Sequence, residues 1–140
     1  MPFRYKEHQA DVGIVGEGAS AEEAFEEAAK AMFNIMVDID GVKQKDKIEF
    51  SVKAPTLEQL LVTFLNELLT QKDIKRMFFS QFFVNIHRNQ NEFSLRAKAF
   101  GEKIDLQRHI IKTEVKAATY SGLKVYDLAG KSYAECLVDV

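Results

Sequence analysis

Two short runs frame what this chain can become. Ser20-Ala-Glu-Glu23 and Thr56-Leu-Glu-Gln59 each place a hydroxyl three residues ahead of a Glu or Gln. At that spacing the hydroxyl accepts a free N–H of a first helical turn while the longer side chain reaches back to the cap. Apolar residues at helical spacing follow both. They are Ala21, Ala24, Phe25, Ala28, Met32 and Met36 after the first run, and Leu57, Leu60, Leu61, Phe64, Leu65 and Leu68 after the second. Glu22, Glu23, Glu26 and Glu27 suit the positive end of the first helix. The turn chemistry of Asp38-Ile-Asp40-Gly41 ends that helix near Val37. Elsewhere apolar residues recur with period two. Strand, capped helix and strands therefore occur twice, and two helices packed on an antiparallel or mixed sheet predict an α+β fold.

Residues 3–8 read as a short strand, which Asp11 and Gly13 interrupt. Ile14-Val15 reads as another, before Gly16-Glu-Gly18. Ile48, Phe50 and Val52 alternate with Glu49, Ser51 and Lys53, a half-buried strand that Pro55 stops. Met77–His87 and Phe93–Phe100 flank Asn89-Gln-Asn91 as a hairpin, and Asp105-Leu-Gln-Arg108 makes a connecting turn. Glu114–Tyr120 is strand-like and ends at Ser121-Gly122. Leu123–Tyr126 and Ser132–Val138 form a last hairpin across Ala129-Gly-Lys131.

A length of 140 residues suits one domain. The single cysteine, Cys136, excludes an internal disulfide and any multi-cysteine zinc site; among apolar neighbours it reads as inert packing. The charged N-terminus lacks the apolar core of a signal peptide, and no run approaches the roughly 20 apolar residues of a membrane span. A cytoplasmic protein with no membrane partner is expected. A formal net charge of -2 argues against a nonspecific grip on nucleic acid, so RNA, if involved, is expected to be handled indirectly, by a partner.

Four stretches together resemble the archease family. They are His8-Gln-Ala-Asp11, Glu23-Ala-Phe25 through Ala31-Met-Phe-Asn-Ile-Met36-Val-Asp38, Glu114-Val-Lys-Ala-Ala-Thr-Tyr120, and Cys136-Leu-Val-Asp139-Val140. The likeness runs from end to end. It implies a small protein built from strand-helix-strand-strand modules that assists the RNA ligase joining tRNA exons and repairing RNA with a cyclic or 3′-terminal phosphate. That RNA-splicing ligase uses GTP and a divalent metal to form a guanylylated histidine. The resemblance implies that this chain promotes the activation without catalysing it, and that Asp11, Asp139 and Val140 form a metal site. Ser121 stands where many members carry histidine after the Thr-Tyr pair.

The residues themselves leave alternatives open. Asp11 before Val-Gly can be a turn former bonding its own backbone. Facing Asp139 and the carbonyl and terminal carboxylate of Val140, it becomes one of several anionic oxygens within about 5 Å, whose repulsion a cation removes. Oxygen-only ligands favour Ca²⁺, Mg²⁺ or Mn²⁺ over zinc. His8 either binds the metal, orients Asp11 through a hydrogen bond, or is a polar surface group. Asp38 and Asp40 oppose the dipole at the helix C-terminus, as a functional site or a simple turn would allow. Tyr120, with an apolar body and polar tip, could close the site, and Ser121 adjoins it. Glu114 and Lys116 meet a partner or form a wet face. His87 and His109 lack ligand spacing and read as surface or hydrogen-bonded groups. A metal-dependent phosphohydrolase using the same carboxylates and a chaperone-like module are the competing functions.

Overall fold

The computed structural model describes residues 2–7 and 11–140. Its elements are β1 (Phe3–Glu7), β2 (Asp11–Gly18), α1 (Ala21–Met36), β3 (Asp46–Ala54), α2 (Leu57–Lys75), β4 (Met77–Arg88), β5 (Phe93–Lys103), β6 (Ala117–Ala118), β7 (Lys124–Leu128) and β8 (Lys131–Asp139), with a 3-10 turn at Ile39–Gly41. The fold is α+β as expected, and every strand pairing is antiparallel. One sheet runs β1-β2-β8-β6, with β7 also on β8, and the other runs β3-β5-β4.

Both caps form. Ser20 Oγ accepts from Glu23 N at 3.2 Å, and Glu23 reaches back to Ala19 N at 2.6 Å, one residue ahead of the cap itself. Thr56 Oγ1 accepts from Gln59 N at 3.1 Å, and its own hydroxyl donates to Gln59 Oε1. Helix α1 is buried over more than one stripe, because it packs on β2 and β8 of the first sheet and on β4 of the second. That double contact buries Ala29, Ala31 and Phe33 as well as the predicted stripe from Ala24 to Met36, while Ala21 at the first turn stays half-buried. Gly16 makes the close approach possible: a Cβ there would lie 2.0 Å from Ala24 O and 2.5 Å from Ala28 N.

Two expectations are corrected. Asp11 and Gly13 do not break a strand; both lie inside β2, which is longer than Ile14-Val15 because β8 pairs with it along its whole length. Conversely, Glu114–Tyr120 contributes only Ala117–Ala118 as strand, since β7 takes most of the same edge of β8.

Strand β4 changes parity at Ser80, where the register to β5 skips from Phe79↔Gly101 to Gln81↔Phe100. This bulge lets Phe79 and Phe82 both meet Phe33 of α1, with ring centroids at 5.5 and 5.6 Å. Opposite the bulge, a Cβ on Gly101 would fall 1.8 Å from Phe78 O. Glu26 of α1 accepts from Val84 N at 2.8 Å, so the helix occupies a donor on the outer edge of β4. No helix among the described residues is long and apolar enough to cross a membrane.

His109 takes the hydrogen-bonded role and is buried. Asp105 N donates to its Nδ1 at 2.9 Å, which leaves the proton on Nε2, 2.9 Å from Glu102 Oε2. Glu102, itself buried, also accepts Lys43 N at 2.7 Å and the Arg108 guanidinium. Burial pushes the Glu102 carboxyl up, but Arg108, the Lys43 N–H and His109 outweigh it and hold it down at about 2, against an ordinary 4.5.

Two outcomes follow from this packing. Gly16→Ala wedges α1 off β2 and lowers the unfolding free energy by about 1–3 kcal/mol, read as an earlier urea midpoint at unchanged m. Because the folded Glu102 carboxyl is depressed, its stabilisation is complete above pH 4.5 and is lost as pH falls toward 2. Glu102→Gln, which removes a charged acceptor, costs about 1.5–3 kcal/mol at pH 7. Thermal melts between pH 7 and 3 should show the variant losing less of its stability over that acid range than the unaltered protein does.

Candidate functional site

The site is built by the ladder between the two ends of the chain. Strand β2 opens at Asp11 and β8 closes at Asp139, and the register places them directly opposite each other, Asp11↔Asp139. One step inward, Val12↔Val138 turns toward the core, where Val138 is fully buried. Since successive residues alternate faces, both aspartates project from the outer face, away from the helices. Directly opposed side chains have Cβ atoms about 4.5–5.5 Å apart. Both aspartates are half-buried.

The other flank of Asp139 is fixed by β6. Ala117 pairs with Asp139, and Lys116 N donates to Asp139 O at 2.8 Å. The side-chain amide of Asn66, from α2, grips Ala118 on both backbone groups, accepting its N–H at 2.8 Å and donating to its carbonyl at 3.1 Å. Asn66 thus stands in for a neighbouring strand. Upstream, Lys112 N and Thr113 N donate to Met36 O and Ile35 O, using carbonyls that the end of α1 leaves unpaired. The segment from 110 to 118 therefore ties the C-terminus of α1 to the aspartate pair. Helix and strand lengths agree, because α1 returns about 24 Å along a β2 of about 26 Å.

The outer face near the pair is charged. Tyr133, Glu135, Leu137 and Asp139 share the outward parity of β8, opposite Glu17, Val15, Gly13 and Asp11 of β2. Glu135 accepts Lys6 Nζ at 2.6 Å and the Tyr126 hydroxyl. Burial raises the Glu135 carboxyl, but the Lys6 and Tyr126 hydrogen bonds outweigh it and leave it below the usual range. The same bond pushes the Tyr126 phenol up to about 12, with burial adding to the effect. Lys6, Gly13, Gly122, Lys124, Glu135 and Leu137 line an open cleft of about 310 Å³, and Gly13 and Leu137 are each two residues from an aspartate of the pair. Sequence reasoning passed over Glu135. Counting back from Asp139 in steps of two would have placed it on that face.

The remaining candidates divide. Val140 follows Asp139 at the end of β8 and is half-buried. His8 lies outside the described residues. Asp38 caps the 3-10 turn, accepting Asp40 N at 3.2 Å, and its own N–H donates to Ile110 O. That is the simple-turn role, at the end of α1 nearest the pair. Asp40 is exposed. Tyr120 is 64% exposed, and Ser121 O accepts Leu137 N at 3.1 Å, so both residues flank β8 close to Asp139. Glu114 and Lys116 are exposed, as a wet face requires. Cys136 is buried, and burial pushes its thiol up to about 12, as inert packing requires. His87 is exposed. Among the described residues no three His, Cys, Asp or Glu side chains converge. Any hard-cation site here rests on two carboxylates and backbone or chain-end oxygens.

Comparison with known proteins places this geometry in a family. The model of the Archease protein family (MTH1598/TM1083) matches residues 3–140. Protein archease of Pyrococcus abyssi is 42% identical over 139 residues, covering 99% of this chain and 98% of that protein. Its counterpart in Methanosarcina mazei is 38% identical, covering 99% and 95%. The solution structure of Methanobacterium thermoautotrophicum protein 1598 superposes with a TM-score of 0.86 at 30% identity, covering 99% of both chains. An archease of Thermotoga maritima, described as a possible chaperone, shares the fold with a TM-score of 0.52 at 23% identity, covering 96% of this chain and 94% of that one. Matched from its first strand to its last residue, this chain belongs to the archease family.

Proposed function

We propose that this protein is a non-catalytic activator of the GTP-dependent RNA-splicing ligase, acting through a divalent-cation site formed by Asp11, Asp139 and Val140. The observation that carries the reading is the register Asp11↔Asp139. Like charges directly opposed on a sheet are destabilising by about 0.2–1 kcal/mol, so two aspartates at that position have no structural rationale of their own. Glu135, on the same face, is neutralised by Lys6, whereas among the described residues neither aspartate has a cation within 4.0 Å. Two carboxylates with a backbone oxygen are a hard donor set, which fits Ca²⁺, Mg²⁺ or Mn²⁺.

When bound, such a cation supplies charge neutralisation and an anchor for phosphate oxygens. The chain's own contribution is placement. The ladder from Val12↔Val138 to Gly18↔Ser132 fixes the spacing of the two carboxylates, and Ala117 with Lys116 holds Asp139 from its other side. Exposed Tyr120 and half-buried Val140 border the pair and give a partner protein a surface to close over. Asp38, already capping its own turn, is not needed as a ligand.

Two measurements test this. Ca²⁺, Mg²⁺ or Mn²⁺ should raise the Tm of the unaltered protein, and Asp139→Asn should abolish that rise. In metal-free buffer the same variant should be as stable as the unaltered protein or more stable by up to about 1 kcal/mol, because a repulsion is gone. In a guanylylation assay with purified ligase and GTP, Asp11→Ala and Asp139→Ala should return the rate to that of ligase alone. Undiminished stimulation by both folded variants would remove the mechanism.

A further inference from the structure

The outer face of the β3-β5-β4 sheet carries a feature the proposed function leaves unused. Its outward positions follow from the register: Lys47, Glu49, Ser51 and Lys53 on β3, Ser94, Arg96, Lys98 and Phe100 on β5, and Phe83, Asn85 and His87 on β4. Two aromatic rings stand there among cations. Phe83 is 49% exposed, and its ring meets Phe100 edge-on at 5.7 Å between centroids. Phe83 is opposite Lys98, and Arg96 is opposite Asn85 on one side and Ser51 on the other.

This arrangement is unusual for a solvated sheet face. A large ring held half in water gains only part of what burial offers, and the core already accounts for Phe79, Phe82 and Val84 on the inward side of β4. The charge is one-sided as well. Lys47, Lys53, Arg96 and Lys98 are opposed there by Glu49, whose nearest cation, Lys47, is 3.9 Å away, and by Glu92, 3.8 Å from Lys53; Glu102, at the same parity farther along β5, is buried against Arg108. Counting Glu49 and Glu92 against those four cations, a net of +2 sits on one face of a chain whose total is -2. Glu49, Ser51, Phe83, Arg96, Lys98 and Phe100 line an open depression of about 790 Å³.

We infer that this face binds a single-stranded polynucleotide, with bases stacking on Phe83 and Phe100 and the phosphates following Lys47, Arg96 and Lys98. Aromatic rings on an antiparallel sheet recognise unpaired bases because every base presents a π-face, and flanking cations supply the backbone grip. Asn85, Ser51 and His87 offer hydrogen-bonding groups on the same face. The whole-chain charge conceals this face, because acidic residues concentrate elsewhere, as at Glu22, Glu23, Glu26 and Glu27 of α1. The inference does not depend on the cation site, which lies on the other sheet.

The test is fluorescence anisotropy with labelled oligouridine and oligodeoxythymidine of about ten nucleotides, at low salt of about 50 mM and then with increasing salt. Saturable binding is expected. Phe83→Ala should weaken it about tenfold, a typical result of removing one stacking ring. Arg96→Ser with Lys98→Ser should weaken it further and flatten the salt slope by about 1.4, at about 0.7 per phosphate contact. Lys131→Ser on the other sheet should bind like the unaltered protein, with circular dichroism confirming the fold of each variant. Preference for the ribo-oligomer would mark RNA as the ligand, and equal affinity would mark recognition by stacking and charge alone; both support the inference. Absence of saturable binding, or equal affinity in every variant, overturns it. It is overturned also if Phe83→Ala instead abolishes co-elution with a ligase, which would make the face a protein-docking surface.

Discussion

Everything positioned in this molecule depends on β8 entering the first sheet between β2 and the β6/β7 edge. Without it β2 keeps only the short β1 as a neighbour, and the inner residues Ala134, Cys136 and Val138 have no core to fill. The ladder joins the two ends of the chain, so the closure entropy of the whole intervening polypeptide must be offset before the contact forms. Register is what that contact defines. A one-residue slip would turn Asp139 into the core and Val138 into water, an exchange the fully buried Val138 forbids.

The second constraint is steric. Helix α1 serves two sheets at once, and it can do so only because its contact with β2 is made by backbone: Gly16 lies under Ala24 and Ala28. On its other side the larger Phe33 bridges to Phe79 and Phe82, which the Ser80 bulge brings to one face. Small residues on one flank and rings on the other set how far the helix stands from each sheet. Its C-terminus, and the 110–118 segment that caps it, then lie level with the aspartate pair.

What the sequence reveals follows the range of the interactions. The caps at Ser20 and Thr56 are local, so they read directly, and the end of α1 at Val37 is where the turn residues put it. Strand signals fail where the partner decides. Asp11 and Gly13 look like breakers, and only β8 makes them strand; Glu114–Tyr120 alternates well, yet β7 already occupies most of the edge it would need. Parity within β4 is hidden too, since the bulge leaves no mark beyond Ser80-Gln81 between two pairs of phenylalanines. The aspartate pair was legible through family likeness. Glu102 with His109 was not, because a buried hydrogen-bonded pair formed by a turn has no periodic signature.

The two sheets handle charge in opposite ways, and that contrast bears on function. On the first sheet, Glu135 and Glu17 are each matched by a lysine, and the opposed aspartates lie at the open end of the ladder, where added positive charge would relieve them. On the second, cations outnumber carboxylates and rings are left exposed among them. Both departures run against the consistency a sheet needs for its own stability. The proposed cation would relieve the first face, and the inferred polyanion with flat, stackable groups the second. Under the two proposals, one chain would present a cation and a nucleic acid on two separate antiparallel sheets.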